Sequence, residues 1–131
     1  MSFIGFWPVL VAAVSSFALG GLWYSPFVFG RLQARWMGEH GETAPQAGPR
    51  ILLTSFVFTL MEAVATAWLL NGNREFGHVA RVCLTAGLCI AAASSGINYQ
   101  YTGRGLRLWL IDGGFHVARY VVYAIVLGSW N

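Results

Sequence analysis

Asp112, His116, Arg119 and Tyr123 recur at steps of four, three and four residues inside the apolar run 106–128. At about 100° per residue that spacing places all four on one face of a helix. Ser55, Thr59, Glu62 and Thr66 repeat the spacing inside a second apolar run, 51–70. Carboxylate and imidazole groups at membrane depth can exchange protons or hold an ion, and a guanidinium can grip an anionic group of a substrate. A charge left alone at that depth is costly, so each needs a partner or water. If Arg50 and Arg107 anchor their helices at the same interface, Glu62 and Arg119 lie equally deep. A Glu62–Arg119 pair is then expected, with His116 one turn away. The same pair could instead be a register-fixing lock without chemistry, and Ser and Thr in such helices often bond their own backbone. Asp112 sits about one turn inside the interface beside Gly113 and Gly114 and is expected to be solvated, or bonded to Arg107 or Trp109.

These stripes need elements to carry them. The chain has 131 residues, 56% hydrophobic and 10% charged, where a soluble domain is nearer ~25% charged. Four apolar runs stand out, at residues 3–29, 51–70, 79–101 and 106–128. Each approaches or exceeds the roughly 20 residues that a spanning helix needs, and none alternates as a barrel strand would. The sequence therefore predicts one all-α domain, an integral membrane bundle of four transmembrane helices that is expected to assemble as a homo-oligomer, since four short helices seldom enclose a pathway alone. A short amphipathic helix at 31–37 is expected to lie in the interface, with Arg31 and Arg35 on one face and Trp36 at the headgroups. The polar run 38–49 reads as a loop, and Asn71-Gly-Asn-Arg-Glu-Phe-Gly and Thr102-Gly-Arg-Gly read as tight turns.

Arginine distribution sets the expected orientation. The first and third connections carry Arg31, Arg35, Arg50, Arg104 and Arg107, against Arg74 and Arg81 on the other side. By the positive-inside rule, both termini are expected outside the cytoplasm of a bacterial inner membrane. The net charge of +3 thus reflects topology, and no nucleic-acid partner is expected. Small residues crowd the third run from Ala86 to Gly96, and Ala12, Ser16 and Gly20 line the first. A close contact between the first and third helices is expected, with a contact between protomers of a homo-oligomer as the rival.

Several chemistries find no motif. There is no Gly-rich phosphate loop, Cys-x-x-Cys or His-Glu-x-x-His, so no cofactor and no metal centre is expected. His40, His78 and His116 are far apart. Cys83 and Cys89 face different directions on a helix and read as packing residues. Trp23-Tyr24-Ser25-Pro26 near the end of the first run reads as an interfacial helix end. The sharper alternative is a hinge or pocket wall to which Asn98 could also contribute. Gly21-Leu-Trp-Tyr24 with Gly30-Arg31 is matched by Gly96-Ile-Asn-Tyr99 with Gly103-Arg104. Two hairpins related by an axis along the membrane normal would produce that match.

The stretch Leu19-Gly-Gly-Leu-Trp-Tyr-Ser-Pro-Phe-Val-Phe-Gly30, the stretch from Asn98 to Val117 and the closing Gly128-Ser-Trp130 resemble the family of small bacterial and fungal membrane proteins known as domain of unknown function 1761. The resemblance implies a four-helix membrane protein and brings no activity. Its pattern more often has Asn where this chain has Asp112, which weakens Asp112 as a required proton carrier. The leading functional expectation is a small channel or an ion- or proton-linked transporter subunit using Glu62, His116 and Arg119, acting on a small solute or ion within the lipid bilayer. The rivals are a non-catalytic scaffold and an enzyme acting on lipid or quinone.

Overall fold

The computed structural model describes residues 5–39 and 48–129. His40 and most of the polar run after α2 lie outside the described residues. The described chain is all α, with four helices long and apolar enough to cross a membrane. They are α1 (Phe6–Trp23), α3 (Pro49–Leu70), α4 (Phe76–Thr102) and α5 (Leu106–Ser129). The short α2 (Gly30–Glu39) follows α1.

Local chemistry sets the helix ends. The first apolar run continues to Phe29, but α1 stops at Trp23. Pro26 has no N–H to continue the ladder. Ser25 Oγ instead donates to Leu22 O at 2.6 Å, and Gly30 N–H closes the turn on Ser25 O at 2.8 Å. At its start α3 has Pro49 in the first turn, where the missing donor is harmless. It ends on Asn71 in the left-handed region. Asn73 Oδ1 then accepts the Glu75 N–H at 2.9 Å, just before α4 begins. The middle of α4, Thr85–Ala92, is wound as a π-helix.

The main helix pairs are α1–α3, α1–α5, α4–α5 and α3–α4, while α3 meets α5 more lightly across the diagonal. An α1–α4 pairing is not among them, contrary to the small-residue expectation. The small residues seat aromatic rings instead. A Cβ added to Gly87 would lie 2.8 Å from Tyr120 Cβ, one on Gly20 3.1 Å from the Phe115 ring, and one on Gly96 3.1 Å from Trp109 Nε1. These glycines let α5 aromatics approach the neighbouring backbones, so α5 rather than α1 fills the groove along α4.

The packing differs along the bundle axis. Val9, Ala13, Ala67, Leu70, Cys83 and Leu127 belong to the main core. That core occupies the half that holds the start of α1, the end of α3 and the end of α5. The opposite half holds α2, whose Met37 packs with Tyr99 and Leu108. There the Arg107 guanidinium lies 5.8 Å from the Trp36 ring centroid.

Candidate functional site

Glu62 and Arg119 each stand thirteen residues after the start of their helix, about 20 Å along it at 1.5 Å per residue. Because α3 and α5 run in the same direction, equal register means equal depth. Arg119 Nη2 donates to Glu62 Oε2 at 2.9 Å, and Tyr120 OH donates to the same oxygen at 3.1 Å. Arg119 Nη2 also lies 2.6 Å from His116 Nδ1. That ring nitrogen must be the acceptor, because a guanidinium has only donors. The guanidinium carbon lies 5.3 Å from the Phe115 ring centroid and 5.7 Å from that of Tyr120, which adds cation–π attraction in a desolvated place.

The pair is unevenly covered. The Arg119 side chain is 9% exposed and that of Glu62 29%. Arg119 Nε is buried and has no hydrogen-bond partner among the described residues. Arg119 also lines a cavity of about 470 Å³ between α1, α3 and α5. Its walls include Phe17, Phe58 and Phe115, with Gly21, Tyr24 and Ser55 nearer the α2 side. Thr59 lines it too, but its hydroxyl is spent on Ser55 O at 2.8 Å, and its carbonyl accepts Tyr123 OH at 3.1 Å. Tyr123 is fully buried, so that bond closes the site against the apolar core.

Asp112 belongs to a separate cluster nearer the α2 side. It is neither bonded to Arg107 nor to Trp109. Tyr24 OH donates to Oδ1 at 2.5 Å, and Tyr99 OH donates to Oδ2. Arg104 lies over the Tyr99 ring, 5.5 Å from its centroid. Burial, and then the negative charge of Asp112, push the Tyr24 phenol far above its ordinary value, so Tyr24 stays a proton donor. Trp109 turns the other way: its indole N–H donates to Ala92 O at 2.9 Å, at the end of the π-helical stretch. Trp23 Nε1 donates to Ile111 O at 3.0 Å, tying the end of α1 to α5.

Thus the structure gathers Glu62, His116 and Arg119 into one site, and Tyr24 and Asp112 into another. Thr59 and Tyr123 border the first site through a backbone carbonyl. Pro26 sits in the exposed turn after α1. Asn98 is exposed, and its carbonyl accepts Thr102 Oγ1 at 2.9 Å; it reaches neither site. Tyr99 and Tyr120 join these sites without belonging to either stripe. Tyr99 has a signal in the sequence, because it is the repeat counterpart of Tyr24. Tyr120 has none, because it lies next to Arg119 and off the stripe.

Among the described residues no group of three His, Cys, Asp or Glu is placed to hold a metal ion. His78 is remote from both clusters and lies against the end of α3, with Nε2 3.3 Å from Leu70 O.

No curated protein and no solved structure matches the chain. A family model described as a protein of unknown function, DUF1761, matches residues 7–128. That match covers nearly the whole chain, including both polar clusters, and the chain belongs to the DUF1761 family.

Proposed function

We propose that this protein is a small carrier-type transport subunit whose solute enters the α1–α3–α5 cavity and reaches Arg119. One observation carries the reading: a deeply buried arginine whose Nε has no acceptor lines a cavity of about 470 Å³. Buried polar groups are normally satisfied, and a satisfied, dry pair would serve a lock equally well. Glu62 and His116 are the movable partners, because both share Nη2 of Arg119. A carrier suits the packing better than a pore. The polar groups and the cavity occupy the α2 half and the midplane, whereas the far half is closed by the apolar core.

In this reading the protein sits in the inner membrane of a bacterium with α2 on the cytoplasmic side. Arg31, Arg35, Arg50, Arg104 and Arg107 on that side support the orientation. Assembly as a homo-oligomer would cover the partly exposed Glu62 at mid-depth.

The second reading is a structural lock, favoured by the direct 2.9 Å contact. Spin labels at Leu22 and Leu53, both exposed and on the two helices flanking the cavity, separate the two readings once Cys83 and Cys89 are replaced by serine. A carrier gives two interlabel distances whose populations shift in Glu62→Gln, the protonated mimic. One distance, unchanged in Glu62→Gln, would leave the lock.

A further inference from the structure

The cavity has an internal counterpart that is already filled. The matched motifs place Gly21 opposite Gly96 and Tyr24 opposite Tyr99 in the two hairpins. The matched stripes place Ser55 opposite Asp112 and Glu62 opposite Arg119, which puts Leu52 opposite Trp109. The contacts follow this correspondence. Glu62 and Arg119 meet each other, and Tyr24 and Tyr99 meet on one carboxylate. In the α4–α5 hairpin the Trp109 indole lies on Gly96, within 3.1 Å of where a Cβ would be. In the α1–α3 hairpin a Cβ on Gly21 would meet nothing within 4 Å. Gly21 and Leu52 both line the cavity instead.

We infer that the cavity binds a neutral, membrane-dissolved amphiphile with a flat carbonyl-bearing ring, lying on Gly21 as the Trp109 indole lies on Gly96, with its carbonyl accepting from Arg119. This deepens the carrier reading and rests on it for the role of the cavity. Flatness follows from the bare glycine and from Phe17, Phe58 and Phe115 in the walls, because aromatic rings pack well against flat rings. The carbonyl follows from Arg119, a charged side chain in an otherwise uncharged cavity wall, whose guanidinium can only donate. Neutrality follows from charge. Glu62 already balances Arg119, and an anion would add an unbalanced charge at mid-membrane depth, where it is costly. The volume, about 470 Å³, falls inside the roughly 300–1,000 Å³ of small-molecule sites. A lateral entrance from the bilayer is available beside Leu52 and Phe58, which are exposed as well as lining the cavity.

The test is isothermal titration of the full-length protein in detergent micelles with three probes: a benzoquinone carrying one isoprenoid unit, laurate and methyl laurate. The quinone is expected to bind at least tenfold more tightly than either lauryl compound. Gly21→Leu and Leu52→Trp, the second supplying the indole that the other hairpin already has, are each expected to weaken quinone binding at least tenfold. Both variants should keep the wild-type melting temperature, since one adds atoms to open space and the other alters an exposed position. Tighter binding of laurate would overturn the neutral head, and equal binding of methyl laurate would overturn the flat ring. Quinone binding unchanged in both variants, or absent from the wild type, would overturn the site. None of these outcomes alters the interlabel distances, so failure here and failure of the carrier reading are separable.

Discussion

Where α4 meets α5, Trp109 covers Gly96, donates to Ala92 O and leaves no space beside the glycine. Nearby, both oxygens of Asp112 are taken by tyrosine hydroxyls. Where α1 meets α3, Gly21 faces open space, Leu52 and Ser55 stand where the other hairpin has Trp109 and Asp112, and Arg119 keeps an unpartnered Nε. One hairpin is finished from within, and the other leaves a ring-sized space that is lined also by Arg119 of α5. The difference teaches how to weigh polar residues in a membrane bundle. A carboxylate with each oxygen held by a tyrosine from another part of the fold ties helices together, whereas a charged side chain lining a cavity points to something that arrives. Asp112 draws attention in the sequence as strongly as Arg119 does, yet by this criterion Asp112 is structural.

The sharpest way to break the comparison is to remove the charge on the open side. Arg119→Leu leaves Glu62 without its counter-charge at mid-depth. It is expected to destabilise by about 3–5 kcal/mol, the usual penalty for breaking a buried pair by losing one partner. The double variant Glu62→Leu, Arg119→Leu should recover most of that loss, because no unbalanced charge remains. Both are read by unfolding in a denaturing detergent. A small effect of Arg119→Leu alone would mean that Glu62 does not depend on Arg119 for its counter-charge, and the charge argument for a neutral ligand would fall with it.

On the closed side, Asp112→Ala strands the hydroxyls of Tyr24 and Tyr99. Tyr99 is buried and Tyr24 half-buried, so about 2–3 kcal/mol should be lost, within the range for unsatisfied buried donors. Asp112→Asn should lose about 1 kcal/mol or less, because an amide can accept from one tyrosine and donate to the other. Equal losses for Ala and Asn in the same unfolding measurement would show that the negative charge matters, and Asp112 would rejoin the candidates for proton transfer.

Much of this molecule is legible in its sequence because the membrane simplifies the problem. Four long apolar runs are read as spanning helices from length and hydropathy alone. Equal distances of Glu62 and Arg119 from Arg50 and Arg107 suffice to bring them face to face. What escapes has a common cause. The partners of Asp112 depend on which helices are neighbours, and small-residue patterns say that a helix is closely approached, not by what. Gly87 and Gly96 look like sites for backbone contact, yet aromatic rings from α5 occupy them. The end of α1 at Trp23 was hidden because Phe27, Val28 and Phe29 prolong the apolar run past Pro26. The π-helical stretch of α4 leaves no composition signal. It rotates the faces after it, so a face assigned by constant 100° steps drifts there. The repeat is faint in sequence, four residues and a Gly-Arg step. It gains force only when Tyr24 and Tyr99 are found on one carboxylate.

The smallest effects come from placing one side chain at two matched glycines. Gly96→Leu must displace the Trp109 indole and break its bond to Ala92 O. A loss of about 1–2 kcal/mol is expected, in the range of overpacked cores. Gly21→Leu adds a side chain where nothing lies within 4 Å of the new Cβ, and replacing a helical glycine removes its entropic penalty of about 0.5–1 kcal/mol. Its stability should therefore hold or rise slightly. The contrast between the two is more telling than either value, since the substitution is the same and both sites lie toward the α2 ends of their helices. If Gly21→Leu is as damaging as Gly96→Leu, the space beside Gly21 is not open in the folded protein, and the two hairpins are equally closed. If Gly21→Leu is stable and the quinone no longer binds, the space exists for a ligand, because filling it removes binding and leaves the fold intact.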